Sequence, residues 1–266
     1  MEYVSEPSVY LVSRPSVDWQ QVADLLSNEG VPPIPESIRA GDDESAAIVE
    51  ISARMCYMSF GRGRKDISDF VENLLSKGDG SVLEHVNYGF VFTGVSRSLT
   101  HELVRHRAGF AYSQRSQRYV DESNSRFVVP PAISRNAQSE DQAGQLFTEL
   151  LNQASSSYEK IVSALEKTLP KDMFPHPRDH RKAVRQAARS VLPNATETKI
   201  FVTGNVRAWR HFIQMRGADF ADWEIRSLAL KVLNTLEKES PLLFGDFKIE
   251  TLPDGTEIAT PKYSRV

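Results

Sequence analysis

Hydrophobic and polar residues follow two distinct periods along this chain. Apolar positions recur about every 3.6 residues over several long stretches, which is typical of amphipathic helices. These stretches are residues 44–57, 66–75, 96–107, 142–169, 178–192, 205–216 and 222–236. Shorter stretches rich in β-branched and aromatic residues are typical of strands. They are residues 8–12, 86–95, 199–202 and 244–250. Residues 29–43, with several prolines, are predicted to form a loop. The pattern predicts a mixed α/β protein.

The helix predicted for residues 205–216 has an apolar face that also carries a charge. That face contains Val206, Trp209, Phe212 and Ile213. Arg216 falls on the same face, whereas Arg207 and Arg210 are predicted to point the other way, with His211 beside them. An arginine on a buried face needs a partner, because an unpaired buried charge is costly. The nearby carboxylates are those of Asp219, Asp222 and Glu224. The sequence leaves open whether one of them or a ligand is the partner.

The overall charge narrows the class of protein. The chain has 266 residues, a formal net charge of -3 and a sequence pI near 6.1. General nucleic-acid binding is not favoured, because it depends on a wide basic surface. No basic segment leads into an apolar run near the amino terminus, and no stretch has about eighteen consecutive apolar residues. We therefore expect a soluble, cytoplasmic protein without a membrane partner.

The single cysteine, Cys56, excludes an internal disulfide. It lies beside the apolar face of the helix predicted for residues 44–57, so we predict that it is buried and behaves as a small apolar side chain. A nucleophilic thiol is the less favoured alternative. No set of Cys and His residues has the spacing of a zinc site, so no metal is expected.

Cationic and aromatic residues are concentrated in residues 105–119. The aromatic residues of this segment are Phe110, Tyr112 and Tyr119. A guanidinium can donate two parallel hydrogen bonds to a phosphate, and flat rings stack on one another. The segment therefore predicts a site for an anionic, aromatic ligand. A salt-bridged helix face is the alternative, since Arg97, His101 and Arg105 recur at intervals of four.

The order of these residues resembles the signature of the flavin-dependent thymidylate synthases. That signature is an Arg-His-Arg triplet followed, a short distance later, by a serine. Here the triplet is residues 105–107, and residues 108–115 separate it from Ser116. The later matching positions are Asn205, Arg207 and Arg216. The similarity extends over about residues 46–247, and the triplet motif is far more restrictive than a single glycine-rich loop.

The resemblance implies a mixed α/β subunit with a central, mostly antiparallel sheet flanked by long helices. It implies a single domain over residues 1–266, with an ordered core at about residues 8–250, and a homotetramer with active sites at subunit junctions. It also implies FAD as cofactor, dUMP as substrate, 5,10-methylenetetrahydrofolate as one-carbon donor and NADPH as reductant. The implied reaction is the reductive methylation of dUMP to dTMP, which releases tetrahydrofolate.

The resemblance assigns roles to individual residues. Positions matched to FAD contacts are Ser81, Arg105, His106, Arg107, Gln114, Asn205, Arg207 and His211. Positions matched to dUMP contacts are Arg97, Glu102, Arg105, Gln114, Arg115, Ser116, Gln117, Arg118, Arg189 and Arg216. The catalytic positions are Arg216, which activates the uracil, and Ser116, which orients the nucleotide. This chain departs from many members at Asp79, where a histidine is common, and at Arg115, where an apolar residue is common. His211 stands where some members have an amide.

The uracil ring needs activation, because its carbons are poor nucleophiles. A buried Cys56 closes the route by thiolate attack, so we predict that a guanidinium beside the N3–O2 edge favours loss of the N3 proton. Arg216 is assigned this role. Two other functions stay open. One is an RNA-binding module in which Phe110, Tyr112 and Trp209 stack on bases, and the other is a non-catalytic flavin or nucleotide sensor.

Overall fold

The computed structural model describes residues 2–34, 43–135 and 142–265. The strands are β1 (Tyr3–Val4), β2 (Ser8–Ser13), β3 (Asn87–Ser96), β4 (Phe110–Gln114), β5 (Phe127–Val128), β6 (Glu197–Asn205), β7 (Phe247–Thr251) and β8 (Glu257–Pro261). The α-helices are α1 (Trp19–Asn28), α2 (Glu44–Tyr57), α3 (Ile67–Lys77), α4 (Arg97–Leu103), α5 (Pro131–Arg135), α6 (Gln142–Thr168), α7 (Pro177–Ala188), α8 (Val206–Arg216), α9 (Trp223–Glu239) and α10 (Pro241–Phe244). Short 3-10 helices cover Gly80–His85, Lys171–Met173 and Arg189–Val191. The predicted mixed α/β class is confirmed.

Short polar side chains begin most of the long helices. Each of these residues accepts a hydrogen bond from a backbone N–H in the first helical turn, a group that has no partner inside the helix. The capping residues are Asp18, Asp43, Asp66, Ser96, Asn205 and Asp222. Gly78 ends α3 with a φ of 76°, a left-handed conformation that glycine adopts without a steric cost.

The helix after Ser96 is shorter than predicted. Ser96 caps it as expected, but it ends at Leu103 and not at residue 107. Beyond Leu103 the hydrogen bonds no longer follow the helical pattern. The Arg105 N–H donates to the Glu102 carbonyl oxygen, the Phe110 N–H donates to the Arg107 carbonyl oxygen in a turn, and the His106 carbonyl oxygen accepts from the Tyr112 hydroxyl. The Arg-His-Arg triplet therefore lies in a connection between helix and strand. Strands β1, β4, β5 and β8 were not predicted either.

Strands β2, β3, β6 and β4 form a four-stranded sheet in that order. β6 runs antiparallel to both of its neighbours. Hydrogen bonds at the strand ends show the antiparallel direction. Beside β3, they join Val206 N to Val86 O and Arg97 N to Thr196 O. Beside β4, they join Asn205 N to Gly109 O and Arg115 N to Lys199 O. The antiparallel sheet implied by the family resemblance is confirmed. β7 and β8 form a separate antiparallel hairpin, in which Ile249 pairs with Ala259.

The chain forms two compact units. The first unit is Met1–Ser8, Phe92–Arg105 and Ser113–Phe201. The second unit is Val9–Val91, His106–Tyr112 and Val202–Val266. Strands β3, β4 and β6 contribute residues to both units, and the triplet is divided between them after Arg105.

Each unit has its own buried apolar residues. In the first unit they include Phe92, Val95, Leu99, Leu103, Phe127, Val128, Tyr158, Val184 and Ile200. In the second unit they include Tyr88, Phe90, Trp209, Phe212, Ile225, Leu228, Val232, Leu236 and Phe244. The apolar stripe of α6 is only partly covered, since Leu151 is buried whereas Leu146 and Leu150 are 51% and 63% exposed.

The described residues extend beyond the range of 8–250 that we expected for the ordered core, with β1 before it and β8 after it. The loop predicted for residues 29–43 is described only in part, because residues 35–42 lie outside the described residues. In the part of the chain that the structure describes, no helix has both the length and the apolar character needed to cross a membrane.

Candidate functional site

Arg97, Arg115 and Arg189 of the first unit are coupled by their charges. With Arg118, which follows Arg115 by three residues, they make up what we call the arginine cluster. Arg97 opens α4, Arg115 and Arg118 follow β4, and Arg189 follows α7. The Arg97 Nη2 donates to the Arg115 carbonyl oxygen over 3.2 Å. Burial lowers the pKa of Arg97, the Glu122 carboxylate offsets part of this effect, and the charges of Arg189 and Arg115 lower the pKa further. The fold therefore brings like charges close enough to repel one another.

Several donors in and beside this cluster are buried without an acceptor. Within the described residues, the Nε atoms of Arg97, Arg115 and Arg118 and the Nε2 atom of Gln117 have no hydrogen-bond partner. A buried donor without an acceptor costs about 1–3 kcal/mol. All four groups donate, so a ligand with several acceptor oxygens, such as a phosphate, fits their chemistry.

Glu122 is a buried carboxylate that faces the cluster. The Arg115 Nη2 donates to its Oε2 over 2.7 Å, and the Ser125 hydroxyl donates to the same oxygen. The Glu122 N–H donates to the Tyr158 hydroxyl oxygen over 3.2 Å. The carboxylate therefore holds Arg115, whereas Arg97 and Arg118 have no carboxylate within salt-bridge distance in residues 2–34, 43–135 and 142–265.

The other first-unit positions have simpler environments. The Gln114 Nε2 donates to the hydroxyls of Thr100 and Thr198 over 3.0 and 3.4 Å. The Ser116 hydroxyl accepts from the Arg118 N–H over 3.3 Å, and the described residues supply no base that hydrogen-bonds to it. Glu102 is half-buried and Arg105 is exposed. These contacts favour an orienting role for Ser116 over a nucleophilic one.

In the second unit, a hydrogen bond joins His106 to Arg216. The Arg216 Nε donates to the His106 Nε2 over 2.9 Å. Burial, then the positive charge of Arg216 and then His211, lowers the pKa of His106 to about 4. His106 is therefore neutral near pH 7 and can accept this bond. This contact gives Arg216 a partner that lies 110 residues away in the sequence, so no local pattern could reveal it.

Like His106, most of the other positions matched to FAD contacts lie in the second unit. The exceptions are Arg105 and Gln114, which lie in the first unit. The Arg207 Nη1 donates to Glu84 Oε1 over 2.7 Å. Asn205 caps α8 through its side chain, and its N–H donates to the Gly109 carbonyl oxygen over 3.1 Å. Ser81, Arg107 and His211 are exposed. Exposed cations and amide or hydroxyl groups of this kind suit the phosphates and polar ring edges of a dinucleotide cofactor.

Gly109 allows a close approach of the chain to α8. Its φ is +74°, and a Cβ at this position would lie 2.7 Å from Asn205 Nδ2 and 2.9 Å from Ala208 Cβ. A residue other than glycine would therefore be strained and would displace the Asn205 side chain. The segment after the triplet thus depends on glycine at this point.

Comparison with known proteins identifies the family. A family model described as "Thymidylate synthase complementing protein" matches residues 39–242. A protein of Mycobacterium sp. (strain KMS) named flavin-dependent thymidylate synthase is 48% identical over 223 residues, which is 81% of this chain and 85% of the relative. Proteins of the same name from Mycolicibacterium vanbaalenii and Mycobacterium tuberculosis are both 46% identical, over 232 and 221 residues. These alignments cover 86% and 82% of this chain, and 89% and 86% of the relatives. This chain belongs to the flavin-dependent thymidylate synthases. The family resemblance seen in the sequence is confirmed.

Two expectations about burial were wrong for this member of the flavin-dependent thymidylate synthases. Cys56 is exposed and not buried, because it lies in the last turn of α2, where Met55 and Tyr57 are exposed as well. Its Sγ donates to the Ser52 carbonyl oxygen over 3.4 Å. Burial therefore does not exclude a thiolate at Cys56.

Arg210 does not point to a polar face, because it is 2% exposed. Its two Nη atoms donate to the Asp246 carboxylate over 2.6 and 2.9 Å, and they also donate to the carbonyl oxygens of Leu243 and Tyr263. The C-terminal segment supplies these acceptors and covers that side of α8. A helical wheel cannot reveal this, since Asp246 is 36 residues away.

The aromatic residues do not form the stacking surface that an RNA-binding module would need. Trp209 is fully buried, and Phe110 packs edge-on against it with ring centroids 4.8 Å apart. Phe110 also stacks on Tyr112 at 5.8 Å. Base stacking by Trp209 is therefore excluded as the structure stands. Among the described residues, no group of three or more His, Cys, Asp or Glu side chains could hold a metal ion.

Proposed function

We propose that this chain is a FAD-dependent thymidylate synthase that methylates dUMP to dTMP. In this reaction 5,10-methylenetetrahydrofolate is the one-carbon donor, NADPH is the reductant and tetrahydrofolate is released. The observation that carries the proposal is the arginine cluster, whose buried donors lack protein acceptors. A nucleotide phosphate supplies acceptor oxygens of the kind that these donors need.

We assign the dUMP phosphate to Arg97, Arg118 and Arg189. The charges of this cluster repel one another, so a dianionic group lowers the energy of the bound state more than a neutral one does. Arg115 keeps its contact with Glu122 and supports the neighbouring backbone. Ser116 orients the nucleotide as a hydrogen-bonding group. The complete set assigned to dUMP is Arg97, Glu102, Arg105, Gln114, Arg115, Ser116, Gln117, Arg118, Arg189 and Arg216.

The residues that would hold FAD are Ser81, Arg105, His106, Arg107, Gln114, Asn205, Arg207 and His211. Bound FAD supplies the transfer of the methylene group and of hydride, which no amino-acid side chain performs. The protein's part is to bind and orient the rings and to exclude water.

Arg216 is proposed to activate the uracil. Its guanidinium, beside the N3–O2 edge of the ring, stabilises the anion that remains when N3 loses its proton to solvent. The negative charge is shared by N3, O2 and O4, so the C4 carbonyl withdraws less electron density and C5 becomes a better nucleophile for the one-carbon unit. A planar guanidinium is always protonated and matches this two-atom edge, so it needs no proton transfer of its own.

An enzyme thiolate is not part of this mechanism. Cys56 is exposed, donates to a backbone oxygen of its own helix and has no basic side chain as hydrogen-bond partner among the described residues. A reactive cysteine depends on a neighbouring cation or a base to lower its pKa. The hydrogen bonds of Cys56 therefore give it no activating partner.

We further propose a homotetramer with active sites at subunit junctions, in which residues 1–266 form one functional domain, and a cytoplasmic location. The exposed Leu146 and Leu150 on α6 support association, because a second subunit could cover them. Sedimentation should give a tetramer, and a fully active monomer would contradict this assembly.

The proposed function is tested by purifying the protein and assaying Arg216→Ala. The wild type should be yellow and should consume NADPH and form dTMP only when dUMP and the folate are present. Arg216→Ala should retain the flavin absorbance and lose dTMP formation. Arg178→Ala, at an exposed position of α7, is the matched arginine control and should behave as the wild type does. Normal turnover by Arg216→Ala would refute the activating role. A wild type that binds flavin and dUMP without any turnover would instead indicate the sensor.

A further inference from the structure

The hydrogen bond between His106 and Arg216 connects the triplet to the arginine that we place at the uracil. His106 is otherwise assigned only to FAD, by its match to the family motif. The contact lies within one unit and joins side chains 110 residues apart in the sequence, with the Arg216 Nε donating over 2.9 Å. It therefore gives His106 a second task that the family motif does not describe.

The His106 ring is held from several directions. It meets Phe212 edge-on at 5.4 Å and His211 at 5.9 Å. Its backbone is fixed as well, because the Tyr112 hydroxyl donates to the His106 carbonyl oxygen. A ring that is fixed in this way presents its Nε2 lone pair in one direction.

A guanidinium is planar, so its Nε–H bond lies in the plane that contains both Nη groups, and fixing that bond together with the attached side chain restricts how the plane can turn. An acceptor fixed at Nε thus sets the orientation of the edge that recognises a ligand. Orientation errors are costly at such a site, because the rate depends on near-ideal alignment of the reacting groups. The bond from Arg216 to His106 has the geometry to supply this control.

We infer that His106 is a positioning residue, which accepts a hydrogen bond from Arg216 through neutral Nε2 and so fixes the guanidinium plane against the N3–O2 edge of the uracil. The inference rests on the proposed function, in which Arg216 faces the uracil. The depressed pKa of His106 agrees with it, since a protonated ring would repel Arg216 and could not accept the bond.

The test distinguishes loss of the hydrogen-bond acceptor at position 106 from loss of the imidazole ring. Gln at position 106 retains an acceptor oxygen at a similar reach, whereas Leu removes it. The ionisation of uracil N3 can be followed by fluorine NMR of 5-fluoro-dUMP bound to the purified enzyme, as a function of pH and without turnover. We expect the wild type and His106→Gln to bind the ligand with N3 more acidic than in free solution. In His106→Leu the N3 ionisation constant should fall by about tenfold, which corresponds to one pKa unit.

A matched control is His101→Gln, at an exposed position of α4, which should leave the N3 ionisation unchanged. If the wild type fails to bind 5-fluoro-dUMP, the proposed function is wrong. If the wild type makes N3 more acidic and His106→Leu does so equally, the proposed function stands and the positioning role is overturned.

A second measurement does not depend on the His106→Leu variant. Magic-angle-spinning NMR of protein labelled with nitrogen-15 histidine reports the tautomer of each ring, and the signal of His106 is the one missing from His106→Gln. Our inference requires the Nδ1–H tautomer with an unprotonated Nε2. A proton on Nε2 in the ligand-free wild type would overturn it, even if His106→Leu did not fold.

Discussion

Replacement of Glu122 by Gln should destabilise the protein while leaving its shape unchanged. Glu122 is 2% exposed, and its carboxylate accepts from Arg115 Nη2 over 2.7 Å and from the Ser125 hydroxyl. The change keeps the volume and one acceptor oxygen but removes the negative charge. Arg115 then has a partly buried positive charge without its counter-charge, next to Arg97.

The expected loss of stability follows from the burial of the Glu122–Arg115 ion pair. Removing one partner of a fully buried ion pair costs about 3–5 kcal/mol. Two features reduce that cost here. The Arg115 side chain is 22% exposed, so water solvates part of its charge. The amide oxygen of Gln also keeps a neutral hydrogen bond, which is worth about 1 kcal/mol. We therefore expect Glu122→Gln to lower the free energy of unfolding by about 2–3 kcal/mol.

The assay is urea unfolding at one fixed protein concentration, because association of subunits makes apparent stability depend on concentration. Glu250→Gln is the matched control. It removes the same charge from an exposed pair with Lys248, and such pairs contribute about 0–1 kcal/mol. Added sulfate should stabilise Glu122→Gln more than Glu250→Gln, since the anion replaces the missing counter-charge. Equal stability of the two variants would refute the view that Glu122 neutralises the arginine cluster.

Three further outcomes are expected. Cys56→Ala should leave the rate of dTMP formation unchanged in a steady-state assay, because the exposed thiol has no place in the mechanism; loss of activity in a folded, flavin-bound variant would contradict this. Gly109→Ala should lower the flavin content of the purified protein and cost about 1–2 kcal/mol of stability, because its φ is +74° and its Cβ would lie 2.7 Å from Asn205 Nδ2. Burial raises the pKa of Glu197, but hydrogen bonds, chiefly from Arg126, outweigh this and hold the folded pKa below its ordinary value. The resulting stabilisation is complete above the unfolded pKa of about 4.3 and is lost as pH falls through the folded pKa. In Arg126→Gln this acid-induced loss should be smaller, and an unchanged dependence of the urea midpoint on pH would oppose the assignment.

Periodic segments made the helices predictable. The helix at Glu44–Tyr57 has the predicted bounds, and α6, α8 and α9 begin or end within a few residues of the predicted ones. In each case apolar spacing and a capping side chain indicate the same element, so the local signals agree. The short strands β1 and β5 have two residues each and carry no such period.

The errors concern side chains whose environment depends on distant residues. Arg210 is buried by the segment around Asp246. The contact of Arg216 with His106, which precedes it by 110 residues, is likewise outside the reach of any local pattern. A wheel of α8 contains neither partner. Cys56 was misplaced for a different reason, since the apolar face of α2 is not covered at its last turn. Local sequence therefore predicts where a helix forms but not what covers each of its faces.

The arginines of this protein divide into two groups, and the division bears on function. Arg54, Arg126 and Arg210 each meet a carboxylate, and both partners come from the chain. Arg97 and Arg118 have no carboxylate within salt-bridge distance in the described ranges 2–34, 43–135 and 142–265. Folding alone thus offsets the desolvation of the first group by direct ion pairs, whereas the second group has no ion pair and Glu122 offsets the burial of Arg97 only in part. A protein in this state is stabilised by any anion that binds the folded form selectively. The arginine cluster and its buried donors are part of the fold, so the folded protein without a ligand carries the free-energy cost of holding them together. A bound nucleotide phosphate would recover that free energy as binding affinity.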